Sequence, residues 1–149
     1  MKKLELILNI VGIISSLTVS LNVSGTAEIC ILSLLALSML YYLFSFALLS
    51  NIPFRKLFKK ASYKGISALR IIGSILFGFA ISPAVIGVLF ATMGYKGAYE
   101  MLLIGGISMG IAVLPVLYKY IQQRGIFYQG VIIRSIIWGG LVVAFLLAS

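Results

Sequence analysis

Glu5, Glu28 and Glu100 are the only acidic side chains in a chain of 149 residues that contains no Asp and no His. General acid–base work needs titratable groups held close to one another and to a substrate, and these three are widely spaced. The single cysteine, Cys30, excludes a disulfide within the chain. With no His present, a Cys/His zinc site and any His-based triad or proton shuttle are excluded as well. Cys30 lies in an apolar run and reads as a small core residue. The chain therefore reads as non-enzymatic, with no cofactor and no metal. An enzyme acting on lipid would have only three glutamates to work with.

What remains for function is a set of neutral polar and small residues inside apolar segments. Asn9, Gly12, Ser16 and Ser20 share one helical face, as do Ser74, Gly78 and Ser82. Gly106 and Gly110 form a GxxxG pair. Ser135 with Gly139 and Gly140 with Ala144 repeat the spacing. In lipid such residues let helix backbones approach closely, and close packing is the simpler reading. A pore or polar pathway through Asn9, Ser16 and Pro83 is the alternative. A serine hydroxyl can bond its own helix, but the Asn9 amide needs a partner on a neighbouring span. Pro83 removes the helical donor for the carbonyl of Phe79, so a kink is expected there. Glu28 and Glu100 suit the first turn of a helix, where negative charge is favoured; an outer cation site is the alternative. Arg134 is expected to snorkel to the near surface, Trp138 to serve packing, and no carboxylate is expected deep in a span.

These residues must be held by elements that live in a bilayer. The chain is 62% hydrophobic and 10% charged, against about 25% charged in a soluble domain. A spanning helix needs about 20 apolar residues. Five segments approach this: 4–23, 29–50, 71–95, 101–118 and 131–148. The last two are the shortest, so a four-span arrangement with one re-entrant segment is the alternative. The opening Met1-Lys2-Lys3 and apolar run to Gly25-Thr26-Ala27 have the outline of a signal peptide; the run is longer than an h-region and reads as a retained first span. The fold class is all-α, a polytopic five-span bundle.

The formal charge is +9. With five spans, Lys2, Lys3, Arg55, Lys56, Lys59, Lys60, Lys64, Arg70, Lys119, Arg124 and Arg134 gather on one side, and Lys96 alone lies on the other. The positive-inside rule then places the N-terminus in the cytoplasm and the C-terminus outside. The cations flank spans rather than forming a basic domain, so anionic lipid headgroups are the expected partner and nucleic acid is not.

A shift of 72 residues lays the first two spans on the third and fourth. Gly25-Thr26-Ala27-Glu28 falls on Gly97-Ala98-Tyr99-Glu100, Ile14 on Ile86 and Leu17 on Leu89. This predicts two hairpins in parallel repeat, about 4–50 and 71–118, joined by a basic linker over 51–70 and followed by a single span.

The second tip, Phe90 to Ala98 with Met101-Leu102-Leu103-Ile104-Gly105 after it, resembles a hairpin that recurs in Bacteroidota membrane proteins. That hairpin occurs in the small membrane subunit of the gliding-motility motor and in short uncharacterised proteins that duplicate it. The linker from Phe54 to Lys60, with Ser62 to Arg70, also resembles the uncharacterised set. The resemblance implies a bacterial inner-membrane protein. This sequence lacks the turn proline of the hairpin and the carboxylate within a span, so motor function does not carry over.

In the linker, Asn51-Ile52-Pro53 reads as a helix start. Phe54, Leu57, Phe58 and Ala61 follow at i, i+3, i+4 and i+7. Arg55, Lys56, Lys59 and Lys60 take the other faces, with Lys64 beyond. This predicts a short amphipathic helix lying on an anionic membrane surface. The functional expectation is a non-catalytic component of a membrane assembly, self-associating or bound to another membrane protein. A small channel or carrier is the alternative.

Overall fold

The computed structural model describes residues 1–148, except the side chain of Lys60. It contains five long helices: α1 (Lys2–Ser20), α2 (Ala27–Leu49), α3 (Ala68–Met93), α4 (Ala98–Gln122) and α5 (Ile126–Ala148). All five are long and apolar enough to cross a membrane, and no strand occurs among the described residues. The chain is a multi-pass membrane protein. The four-span alternative falls away, because the fourth and fifth helices have 25 and 23 residues rather than 18. Both extend past their apolar stretches, α4 through Lys119 and α5 back to Ile126, since helical hydrogen bonding need not end where the apolar side chains do.

Two of the helix ends are set by asparagine. Asn22 and Asn51 have φ of 58° and 59°, a left-handed conformation that Asn tolerates better than most residues. The Ile52 N–H donates to the Ala47 carbonyl at 2.8 Å and the Asn51 N–H to that of Leu48 at 3.4 Å, closing a Schellman motif on α2. Asn51 therefore ends a helix rather than starting one.

The linker likewise differs from the expected amphipathic helix. It forms two 3-10 turns, Phe54–Lys56 and Lys60–Tyr63, with Lys59 extended between them. Its apolar side chains do not share one membrane-facing stripe. Leu57 is buried beside Ala47 and Ile52, and Phe54 packs edge-on against Phe44. The Tyr63 hydroxyl donates to the Leu57 carbonyl at 2.6 Å. These contacts with the end of α2 outweigh the helical pattern. Phe58 is left fully exposed, with Arg55, Lys56, Lys59 and Lys64 exposed around it. The Lys60 side chain lies outside the described residues.

α3 is the central helix and packs against each of the other four. Its Phe77, Ile81, Val85 and Val88 meet Leu34, Leu37, Tyr41 and Leu48 of α2, and the core continues through Leu102 and Met109 to Val131, Trp138 and Val142. α1, α4 and α5 are mostly uncovered and present large apolar side chains outward, as lipid-facing helices must. Lipid offers no hydrophobic drive for association, so close approach counts. A Cβ on Gly78 would collide with the Tyr41 carbonyl and Ser45. One on Gly87 would lie 2.9 Å from the Leu102 nitrogen, and one on Gly105 2.5 Å from the Ala84 backbone. α3 runs as one helix through Pro83, and the approach of Gly105 is made at Pro83–Ala84. The GxxxG pair does less within the chain: Gly106 faces one Val142 methyl, and a Cβ on Gly110 would meet nothing within 4 Å.

Candidate functional site: a buried polar cluster and the cleft beside it

Glu5 lies in the first turn of α1, near the end of the span as expected, and it is buried against the neighbouring helices. Its partner is Arg134, nine residues into α5. Arg134 Nε donates to Glu5 Oε1 and Nη2 to Oε2, each at 2.6 Å. Such a bidentate fork is the strongest common geometry for this pair. Nη1 donates to the Gly130 carbonyl at 2.8 Å, and the Tyr41 hydroxyl donates to Glu5 Oε1 at 2.9 Å. Arg134 therefore does not snorkel to the surface: a carboxylate inside the bundle holds it there.

One helical turn further along both helices, a second rung forms. Asn9 Nδ2 donates to the Glu5 carbonyl at 2.8 Å and to the Tyr41 hydroxyl oxygen at 3.2 Å. Asn9 Oδ1 accepts from Trp138 Nε1 at 3.1 Å. The two rungs have one sequence separation, 129 residues, because Glu5 and Asn9, like Arg134 and Trp138, are spaced i, i+4 on parallel helices. The backbones of α1 and α5 are not among the closely packed pairs. Long side chains bridge the gap, and Tyr41 of α2 fills the space between. Trp138 is both core and donor.

The other polar residues are scattered through the bundle rather than aligned with Asn9. The Ser16 and Thr92 hydroxyls pair at 2.7 Å, joining α1 to α3, and those of Ser38 and Ser82 pair at 2.6 Å, joining α2 to α3. Ser74 donates to the Arg70 carbonyl of its own helix, and Ser20 to that of Ser16. Gly12 is buried against Leu34. Glu28 and Glu100 are exposed in the first turns of α2 and α4. Among the described residues the Glu5–Arg134 pair is the only ion pair, and no three His, Cys, Asp or Glu side chains gather as a metal site.

Beside the cluster, at the end of the molecule where the cations lie, is a cleft of 1290 Å³. Its walls are the halves of α3 and α4 at that end, and it is closed by the start of α5. The Gly87 and Gly105 contacts pin α3 to α4 elsewhere along their length. Gly73 leaves open space on one wall and Pro115 lies on the other. Lys2, Arg70, Lys119, Arg124 and Arg134 all line it, and no carboxylate does. The Arg70 guanidinium sits 4.2 Å above the Phe127 ring, and its Nε is buried without a hydrogen-bond partner. The sequence marks Arg70, Lys119 and Arg124 only as flanking charges. That they face one cavity follows from tertiary packing and has no signature in their spacing.

No family model, no curated protein and no solved structure matches the chain.

Proposed function

We propose that the chain is a non-catalytic component of a membrane assembly that acts by self-association or by binding another membrane protein. The observation that supports this reading is an unfilled, smooth face on α5. Gly140 and Ala144 lie one turn apart, both exposed, and a Cβ on Gly140 would meet nothing within 4 Å. Gly110 on α4 is equally open. A second copy brought to such a face gains close backbone approach, the main source of association in lipid. The buried polar groups fit a structural role, since Glu5, Asn9, Tyr41, Arg134 and Trp138 use their hydrogen-bonding capacity on one another.

The proposal includes a bacterial inner-membrane location with a cytoplasmic N-terminus, supported by the charge asymmetry. It includes kinship with the duplicated Bacteroidota hairpins, supported by residues 54–70 and 90–105. A two-hairpin repeat is supported by element bounds: the 72-residue shift carries α2, Ala27–Leu49, onto 99–121, inside α4 at Ala98–Gln122.

Single-molecule photobleaching of the labelled chain in liposomes, over a range of protein densities, tests the reading. Wild type should show two or more copies per spot above random co-occupancy, and Gly140→Leu with Ala144→Leu should return it to one. A wild type that is monomeric at every density, with no membrane protein co-purifying in mild detergent, refutes it. The second reading, a small channel or carrier, is favoured by the cleft that reaches Arg134. Solute flux in wild-type liposomes that Asn9→Leu abolishes without loss of stability would put it first.

A further inference from the structure

The cleft between α3 and α4 combines features that neither helix packing nor topology requires. It is larger than the ~300–1,000 Å³ of usual small-molecule pockets. One end is strongly positive. Lys2, Arg70, Lys119 and Arg124 line it without a carboxylate partner, and Arg134 beside them is already neutralised by Glu5. The first residues of α3 and α5 also line this end, and helix N-termini carry partial positive charge and free N–H groups. Arg70 is held in place: its backbone N–H donates to the Ser67 hydroxyl at 3.3 Å, and its guanidinium plane rests on Phe127. Its buried, unpartnered Nε is a donor that a protein does not usually leave unmet.

Away from that end the walls become apolar and small, with Gly73 and Ala80 on α3 and Ala112 and Pro115 on α4. The rim is apolar and exposed at Leu76 and Ile111, so the cleft opens sideways toward lipid. A soluble anion would use the charged end and leave the apolar groove unfilled. A hydrocarbon chain would do the reverse. A molecule that matches both is amphiphilic, with an anionic phosphate head and an acyl tail, and it can arrive laterally from the bilayer.

We propose that this cleft binds one anionic phospholipid, its headgroup phosphate held by Arg70, Lys119 and Arg124 and one acyl chain laid between Gly73 and Pro115. The site goes beyond the assembly reading and does not depend on it, because all its residues come from one chain.

The test is native mass spectrometry of the full-length chain in mild detergent, titrated with phosphatidylglycerol or with phosphatidylcholine of the same acyl chains. Phosphatidylglycerol should bind as one tight adduct, at least tenfold more strongly than phosphatidylcholine. Each surface cation is worth about fivefold toward an anionic lipid, so Arg70→Gln with Lys119→Gln should weaken binding by about thirtyfold. The control Lys56→Gln with Lys59→Gln, in the linker, should leave the tight adduct in place. Gly73→Leu with Ala112→Leu should block the tail groove while the cations remain, and keeps the test decisive if the charge variant does not fold. Equal binding of the two lipids overturns the proposal, as does full binding by either cleft variant. Inorganic phosphate that displaces phosphatidylglycerol at equal concentration would make the cleft a soluble-anion site and also overturns it. A hydrophobic helix of another protein retained there in place of lipid does so too. Oligomeric state plays no part in these readouts, so failure here leaves the assembly reading untouched.

Discussion

Replacing Glu5 with Leu removes the counter-charge of Arg134 while keeping the volume. In the folded chain the guanidinium gives three hydrogen bonds, two of them to Glu5 at 2.6 Å. Breaking a buried pair from one side costs about 3–5 kcal/mol, because a charge is left uncompensated. Here the figure belongs at or below the lower end. The Arg134 side chain retains 15% exposure and lines the cleft, so water can reach it. The Tyr41 hydroxyl loses its acceptor as well, which adds about 1 kcal/mol. A loss of about 3 kcal/mol follows, equivalent to a fall in Tm of about 6–12 °C for a chain of this size. The measurement is thermal unfolding in mild detergent, following the intrinsic fluorescence of the lone Trp138. The double variant Glu5→Leu with Arg134→Leu should recover most of the loss, because a buried pair replaced by apolar residues is often neutral. The cycle should give a coupling of at least 2 kcal/mol. If Glu5→Leu is as stable as wild type, or the double variant is worse than either single one, the pair does not clamp the bundle.

Gly105→Leu should destabilise the bundle by more than about 3 kcal/mol in the same assay, since its side chain meets the Ala84 backbone and not a movable side chain. Gly110→Leu should leave the stability of the monomer unchanged, and equal losses in the two variants would contradict the packing described. Trp138→Phe, followed by circular dichroism because it leaves no tryptophan, should cost about 1 kcal/mol through the unmet Asn9 carbonyl oxygen; a loss below a few tenths would show that the bond contributes nothing. Cys30 is fully buried, so maleimide labelling should proceed only after denaturation, and rapid labelling of the native protein would place α2 differently. Reporter fusions at the C-terminus should be active outside the cytoplasm; cytoplasmic activity would reverse the proposed orientation.

Hydropathy made the five spans legible, because in lipid the average polarity of a segment decides whether it crosses. It could not fix where helices end. α4 runs on through Tyr118, Lys119 and Tyr120, where polar side chains reach the interface without disturbing the backbone. The need of Asn9 for a partner on another span was readable from its chemistry. Its partners, Tyr41 and Trp138, were not, because rungs whose two sides lie 129 residues apart depend on the rotation of α5 about its axis. The same rotation decides that Arg134 turns inward. In the linker, the spacing of Phe54, Leu57, Phe58 and Ala61 promised a helix. What it could not register was the competing pull of Ala47 and Ile52 on Leu57. The small-residue motifs carried least: Gly78, Gly87 and Gly105 make the close approaches, and only Gly78 stands in a stripe visible beforehand.

The ladder between α1 and α5 also bears on how the protein is made. Synthesis delivers α1 well before α5. Throughout that interval Glu5 lacks Arg134, and a carboxylate at the edge of hydrocarbon is costly until its partner comes. α1 must therefore wait at the membrane surface or lean on Tyr41 of α2 alone. Arrival of Arg134 ends the wait. A nascent chain cut short before α5 keeps in its first helix a carboxylate without its Arg134 partner.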